Sequence, residues 1–227
     1  MASGASRVIS KGIERAAAFP PAAGGMLRRV LELAIDGVGP LPSAKAAAAR
    51  HLARSEGRIP DAIDSLILAH VGLAGAQGFV TNLGGFAALP IALPANMTGV
   101  AVIQARMIAT ITHLRGYDIM DDRVRTAIVM SMMGGEEIGK RIARGTLPTS
   151  PMAIATAPVF DPELDRRVAR EVATDLMARV GGKSVAVTVT KRVPILGGGV
   201  SAVYDAYSTH QLGHYVKSEF RTRRSIA

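Results

Sequence analysis

Two histidines, His210 and His214, stand four residues apart, which places both imidazoles on one face of a helix. That is metal-ligand spacing. The residue after the first is Gln211, where a zinc protease needs a glutamate as general base, so hydrolytic metal chemistry is disfavoured. Asp205 or Glu219 is the available third ligand, and without one the pair reads as ordinary surface or packing histidines. A second constellation is Gln104, Arg106 and Asp118, which could bind a polar head group beside an apolar cleft. Gln104 and Arg106 lie about 200° apart around a helix, so they face different neighbours. A buried Gln104 needs a hydrogen-bond partner. Arg106 has two routes, pairing with Asp64, Asp118 or Asp121, or reaching the surface.

Other candidates carry less chemistry. Glu136 and Glu137 follow Gly134 and Gly135 and suit the first turn of a helix, where carboxylates complement the dipole. Gly197, Gly198 and Gly199 fit neither phosphate-loop nor dinucleotide spacing and read as close packing. His70 sits on an apolar helix face and reads as a hydrogen-bonded core residue. Ser201 and the other serines lack a nucleophile-elbow context. Tyr204, Tyr207 and Tyr215 share the last helix and read as packing. No pattern specifies a catalytic residue or a cofactor.

The elements that must position these residues are helical. Three-and-four spacing predicts a helix over 23–37, a second capped by Ser43 through about Glu56, and a third over about 61–77. Gly72, Gly75 and Gly78 lie along one face of the third and suit the close approach of another backbone. Gly84, Gly85, Pro90 and Pro94 predict irregular backbone over 82–94. Helices follow over 95–115, 121–133 and 136–144. Residues 145–160 read as a loop and the best candidate linker. A charged helix opens at Asp161 and Pro162 and runs to about Val180. Residues 184–190 look strand-like, but no second strand exists to pair with them, so helix is preferred. The last helix is expected over about 200–221, and a short amphipathic one over 7–18.

Charge is distributed unevenly. From Ser65 to Ala105 there is no Asp, Glu, Lys or Arg. Such a stretch is a buried core, a partner interface or a membrane contact. The chain of 227 residues has a net charge of +9, and both ends are basic while the middle is near neutral. Basic ends suit an anionic membrane surface, an acidic partner or nucleic acid. Nucleic acid is disfavoured, because no zinc-finger, RRM or KH pattern accompanies the charge. Cysteine is absent, which excludes disulfides and thiolate metal sites. Charged residues interrupt the first twenty positions, so a cleaved signal peptide is not expected. With aromatics at 4% and no Trp, the core must be aliphatic. Ser65–Leu89 and Ala95–Leu114 are each long enough to cross a bilayer. Glycines and Pro90 spoil the first, and Arg106 in the second costs about 2.5–3.5 kcal/mol on insertion scales.

The segment Gly78-Phe-Val-Thr-Asn-Leu-Gly-Gly-Phe-Ala-Ala-Leu-Pro-Ile-Ala-Leu-Pro94 precedes a helix containing Gln104-Ala-Arg106, then Gly116-Tyr-Asp118. Near the C-terminus comes Val193-Pro-Ile-Leu-Gly-Gly-Gly199, followed by Asp205. This combination resembles the EcsC family of bacterial proteins, over roughly residues 60–135 and 185–216. Asn82 stands where the family often has glycine, and Asn tolerates positive φ better than most residues. The resemblance implies a mostly helical bacterial protein encoded beside an ABC exporter. It supplies no reaction and no catalytic residue.

The expectation is therefore an all-α, single-domain multi-helix bundle with a central apolar glycine-rich helical hairpin. Residues 1–42 form a basic helical segment, 43–216 the EcsC-like domain and 217–227 a basic tail. The expected role is a non-enzymatic accessory or scaffold, cytoplasmic and peripheral to the inner face of the cytoplasmic membrane. Its partners would be anionic lipid or a membrane protein such as ABC transporter subunits, with self-association and integral insertion left open. The alternative is a ligand-binding protein or enzyme with a pocket formed by the 78–94 loop and the 95–118 helix.

Overall fold

The computed structural model describes residues 22–37, 41–82, 89–189 and 194–223, and side chains over 27–37, 41–76, 99–179 and 202–223. These residues form an all-α fold. The helices are α1 (Ala22–Asp36), α2 (Ala44–Arg54), α3 (Ile59–Asn82), α4 (Leu89–Leu114), α5 (Asp122–Ser131), α6 (Gly135–Ala143), α7 (Pro151–Ala155), α8 (Pro162–Val189) and α9 (Pro194–Glu219).

Helix α4 is the axis. Every residue from 101 to 112 is buried, whichever way it faces. A helix that is apolar all round has to be enclosed. The enclosure comes from α1, α2, α3, α5 and α9, all of which pack on it. The core is aliphatic, with Ile63, Leu66, Ile67, Met107, Ile108, Ile111, Ile128 and Met130 almost wholly inaccessible. Each such side chain stabilises the fold by about 1.5–3 kcal/mol through burial. Leu27, Val30, Leu31, Ala34 and Ile35 bring α1 into the same core, and Phe220 brings in the C-terminal segment.

Local chemistry sets the helix starts. The Ser43 hydroxyl accepts from the Ala46 N–H and caps α2. The Asp121 carboxylate caps α5 by accepting from the Arg123 N–H. Asp161 accepts from the N–H groups of Glu163 and Leu164 at the head of α8. Glu136 and Glu137 occupy the first turn of α6 as expected, and pair with Lys140 and Arg141 one turn on.

Several helices run further than the sequence suggests. Helix α3 passes Gly72, Gly75 and Gly78 and continues to Asn82. Helix α4 begins at Leu89, so Pro90 and Pro94 lie inside it, not in irregular backbone. Pro90 falls in the first turn, where its missing N–H has no helical partner to lose. Likewise α9 starts at Pro194 and includes Gly197, Gly198 and Gly199. Helix α8 runs to Val189, past Gly181 and Gly182, so the strand-like residues up to 189 are helical. Residues 145–160 are not a linker: Leu147, Ile154 and Ala155 are buried, and α7 packs on α5. Gly84, Gly85 and the expected helix over 7–18 lie outside the described residues.

Helices α3 and α9 pack antiparallel. Gly75 faces Ala202 and Ala206, Gly213 faces Ile67, and Asp64 pairs with Lys217. A Cβ on Gly75 would lie 3.6 Å from the Ala206 Cβ, so this glycine does mark a close helix approach. A Cβ on Gly213 would sit 2.8 Å from Ile67 Cγ1 and 2.9 Å from Cγ2. By contrast, a Cβ on Gly72 meets nothing within 4 Å. Gly213→Val should therefore destabilise the protein by about 2 kcal/mol through overpacking, with partial rescue by Ile67→Ala in a double-mutant cycle. Gly72→Ala should stabilise it by roughly 0.5–1 kcal/mol through helix propensity. Urea unfolding of the four variants checks both.

Candidate functional site

The enclosed segment of α4 carries four polar side chains, and three are satisfied. Thr110 Oγ1 donates to the Arg106 carbonyl at 2.8 Å, and Thr112 Oγ1 to the Ile108 carbonyl at 2.8 Å. Gln104 Nε2 donates across the core to Thr209 Oγ1 of α9 at 3.1 Å. That is the partner a buried Gln104 requires, and it makes Gln104 a helix–helix cross-link.

Arg106 is the exception. It is only 3% exposed, and its buried Nε has no hydrogen-bond partner. None of the candidate acids is available to it. Asp64 pairs with Lys217, Asp121 pairs with Arg123, and Asp118 is exposed and accepts from the Met120 N–H. Among the described residues no acid pairs with Arg106, and its side chain is almost wholly enclosed. Helix geometry explains why: the side of α4 bearing Arg106 faces α2 and α3, whose nearby charged groups are basic.

Three of those groups surround it. His70 on α3 is 2% exposed, with Nδ1 2.9 Å from the Leu66 carbonyl, one turn earlier. The carbonyl can only accept, so Nδ1 carries the proton and Nε2 is left buried without a partner. His51 on α2 is half-buried, with Nδ1 3.0 Å from Ser65 Oγ of α3. Arg50, its neighbour, is exposed. The charges act on one another. Burial, and then the field of Arg106, holds His70 down to about 4, against the opposing pull of its carbonyl bond. Burial, then Arg54, Arg50 and Arg106, lowers His51. Burial and Arg50 lower even Arg106. No acid acts on any of the three.

The anticipated trio of Gln104, Arg106 and Asp118 is therefore not one site. Gln104 faces α9, Arg106 faces the opposite way and Asp118 points to solvent. His210 and His214 do lie together, ring centroids 4.4 Å apart, on the exposed side of α9. No group of three or more metal-ligating side chains occurs among the described residues. Asp205 is buried, and Glu219 accepts from the Met152 N–H. His70 is a core histidine as the sequence suggests, but its unsatisfied Nε2 and the contribution of Arg50 and His51 carry no sequence signal.

A second feature is the outer side of the α3–α9 pair. The stretch Ile59–Ala76 is long and apolar enough to cross a membrane, yet only 33% of it is buried. Leu68 is 66% exposed, and on α9 Val203 is 70% and Tyr207 61% exposed. Tyr204 is also largely exposed, so neither it nor Tyr207 is a buried core residue, while Tyr215 packs against Gly135.

Compared with known proteins, the chain matches no family model, no curated protein and no solved structure. The EcsC likeness rests on the quoted segments alone.

The His70 environment fixes a pH dependence. Its folded value, about 4, lies below the ordinary 6.5, so the unfolded chain binds more protons between those limits. The corresponding stability is complete above pH 6.5 and is lost as pH falls towards 4. The shift is worth about 3 kcal/mol. His70→Met should flatten that part of the curve, measured as urea midpoints at pH 7.5 and 4.5 against the wild type.

Proposed function

We propose that this chain is a non-enzymatic accessory or scaffold protein that docks on the inner face of the cytoplasmic membrane. The observation carrying this reading is the outer side of α3 and α9, where Leu68, Val203, Tyr204 and Tyr207 are exposed on two helices that pack together. Large apolar side chains left exposed on a packed helix pair mark an interaction site. The occupant is an anionic bilayer, since the net charge of +9 supplies long-range attraction and the apolar side chains supply interfacial burial. Tyr204 and Tyr207 suit the headgroup level, each ring having an apolar body and a polar tip. The other face of α3, with Ile63, Leu66, Ile67 and Ala74, is committed to the core, which favours lying on the membrane over crossing it. An ABC-type exporter is the membrane partner that the EcsC resemblance implies.

Vesicle co-sedimentation tests this. The protein should bind phosphatidylglycerol vesicles and not phosphatidylcholine vesicles, and 0.5 M salt should release most of it. Leu68→Glu with Tyr207→Glu should weaken binding about tenfold or more at an unchanged melting temperature. Binding that is unaffected by this double substitution contradicts the reading.

A further inference from the structure

Helices α2, α3 and α4 pack against one another, and each brings basic groups to their junction. Arg50 is exposed, His51 beside it is half-buried, and His70 and Arg106 are buried at 2% and 3% exposure. These groups run from the surface into the core. Two buried nitrogens along this line, His70 Nε2 and Arg106 Nε, have no partner. Ser65, bonded to His51, adds a hydroxyl. An interior guanidinium that no acid among the described residues neutralises, with the Arg50 guanidinium of the same sign acting on it, calls for an anion. Donors arriving from three helices suit an oxyanion with several acceptor oxygens better than a halide. Two guanidinium groups favour phosphate, which guanidinium binds through paired N–H donors.

We propose that Arg106, His70, His51 and Arg50 form a binding site for a phosphate group, entered from the surface past Arg50. Arg106 binds the phosphate oxygens at the inner end. His70 Nε2, an acceptor, takes a hydrogen bond from the phosphate's own P–OH, His51 and Ser65 complete the shell, and Arg50 draws the anion in. The chemistry is shared by free phosphate and by the headgroup of a phosphomonoester lipid. This site lies apart from the α3–α9 outer face, and the two readings fail separately.

The test is thermal unfolding of the full chain in inorganic phosphate, in dihexanoyl phosphatidic acid below its micelle concentration, and in chloride at matched ionic strength. Phosphate or the lipid should raise the melting temperature by about 4 °C or more over chloride. A response to both assigns the site to free phosphate, and a response to the lipid alone assigns it to a headgroup. Arg106→Met should abolish the shift and, in chloride, melt at or above the wild type, because an apolar side chain replaces an unpaired charge. Arg50→Gln changes an exposed residue and keeps the test valid if Arg106→Met fails to fold; it should weaken the response at least threefold in ligand concentration. The proposal is overturned if neither ligand exceeds chloride, or if Arg50→Gln responds as the wild type does.

Discussion

The burial of residues 101–112 on every side of α4 is the constraint from which the rest of the structure follows. A helix enclosed in this way needs neighbours all around it, and α1, α2, α3, α5 and α9 provide them. It also leaves no water for its polar side chains. The threonines turn back to their own helix and Gln104 reaches α9. Arg106 has neither recourse. An uncompensated interior charge costs several kcal/mol even after relaxation, against a total stability of about 5–15 kcal/mol for a typical domain. A methionine would fill the same space without that cost. The arginine is therefore better explained by something it binds than by the stability of the fold.

Helix α3 serves two environments. One side supplies Ile63, Leu66, Ile67 and His70 to the core, and the other presents Leu68 outward. Uncharged residues on both sides allow this, and the chain has no Asp, Glu, Lys or Arg between Ser65 and Ala105. Glycine sets how closely α9 approaches, at Gly75 against Ala206 and at Gly213 against Ile67. The packed pair thus links the outer apolar face to the core. His70 is the residue of α3 that joins the basic centre on the opposite side.

Much of the fold was legible in the sequence. Three-and-four periodicity located α1, α2, α5 and α6, and Ser43, Asp121 and Asp161 marked three helix starts through their caps. The misreadings share one cause. Glycine and proline led to irregular backbone being expected over 82–94 and a last helix only from about 200, whereas α4 begins at Leu89 and α9 at Pro194. At the candidate site, periodicity placed Gln104 and Arg106 on opposite faces, which the structure bears out. It could not say that the face opposite Arg106 would hold Arg50, His51 and His70, because that depends on how α2 docks. Nor does any spacing rule reveal that Asp64 and Asp121 are already paired with Lys217 and Arg123.

The central claim is that Arg106 is held for a ligand. A crystal structure of the protein grown in phosphate tests it most directly, compared with one grown in chloride. The account predicts tetrahedral density within hydrogen-bond distance of the Arg106 guanidinium in phosphate, with His70 Nε2 turned towards the same group. A carboxylate paired with Arg106 in both crystals, or a guanidinium swung out to solvent, would contradict it.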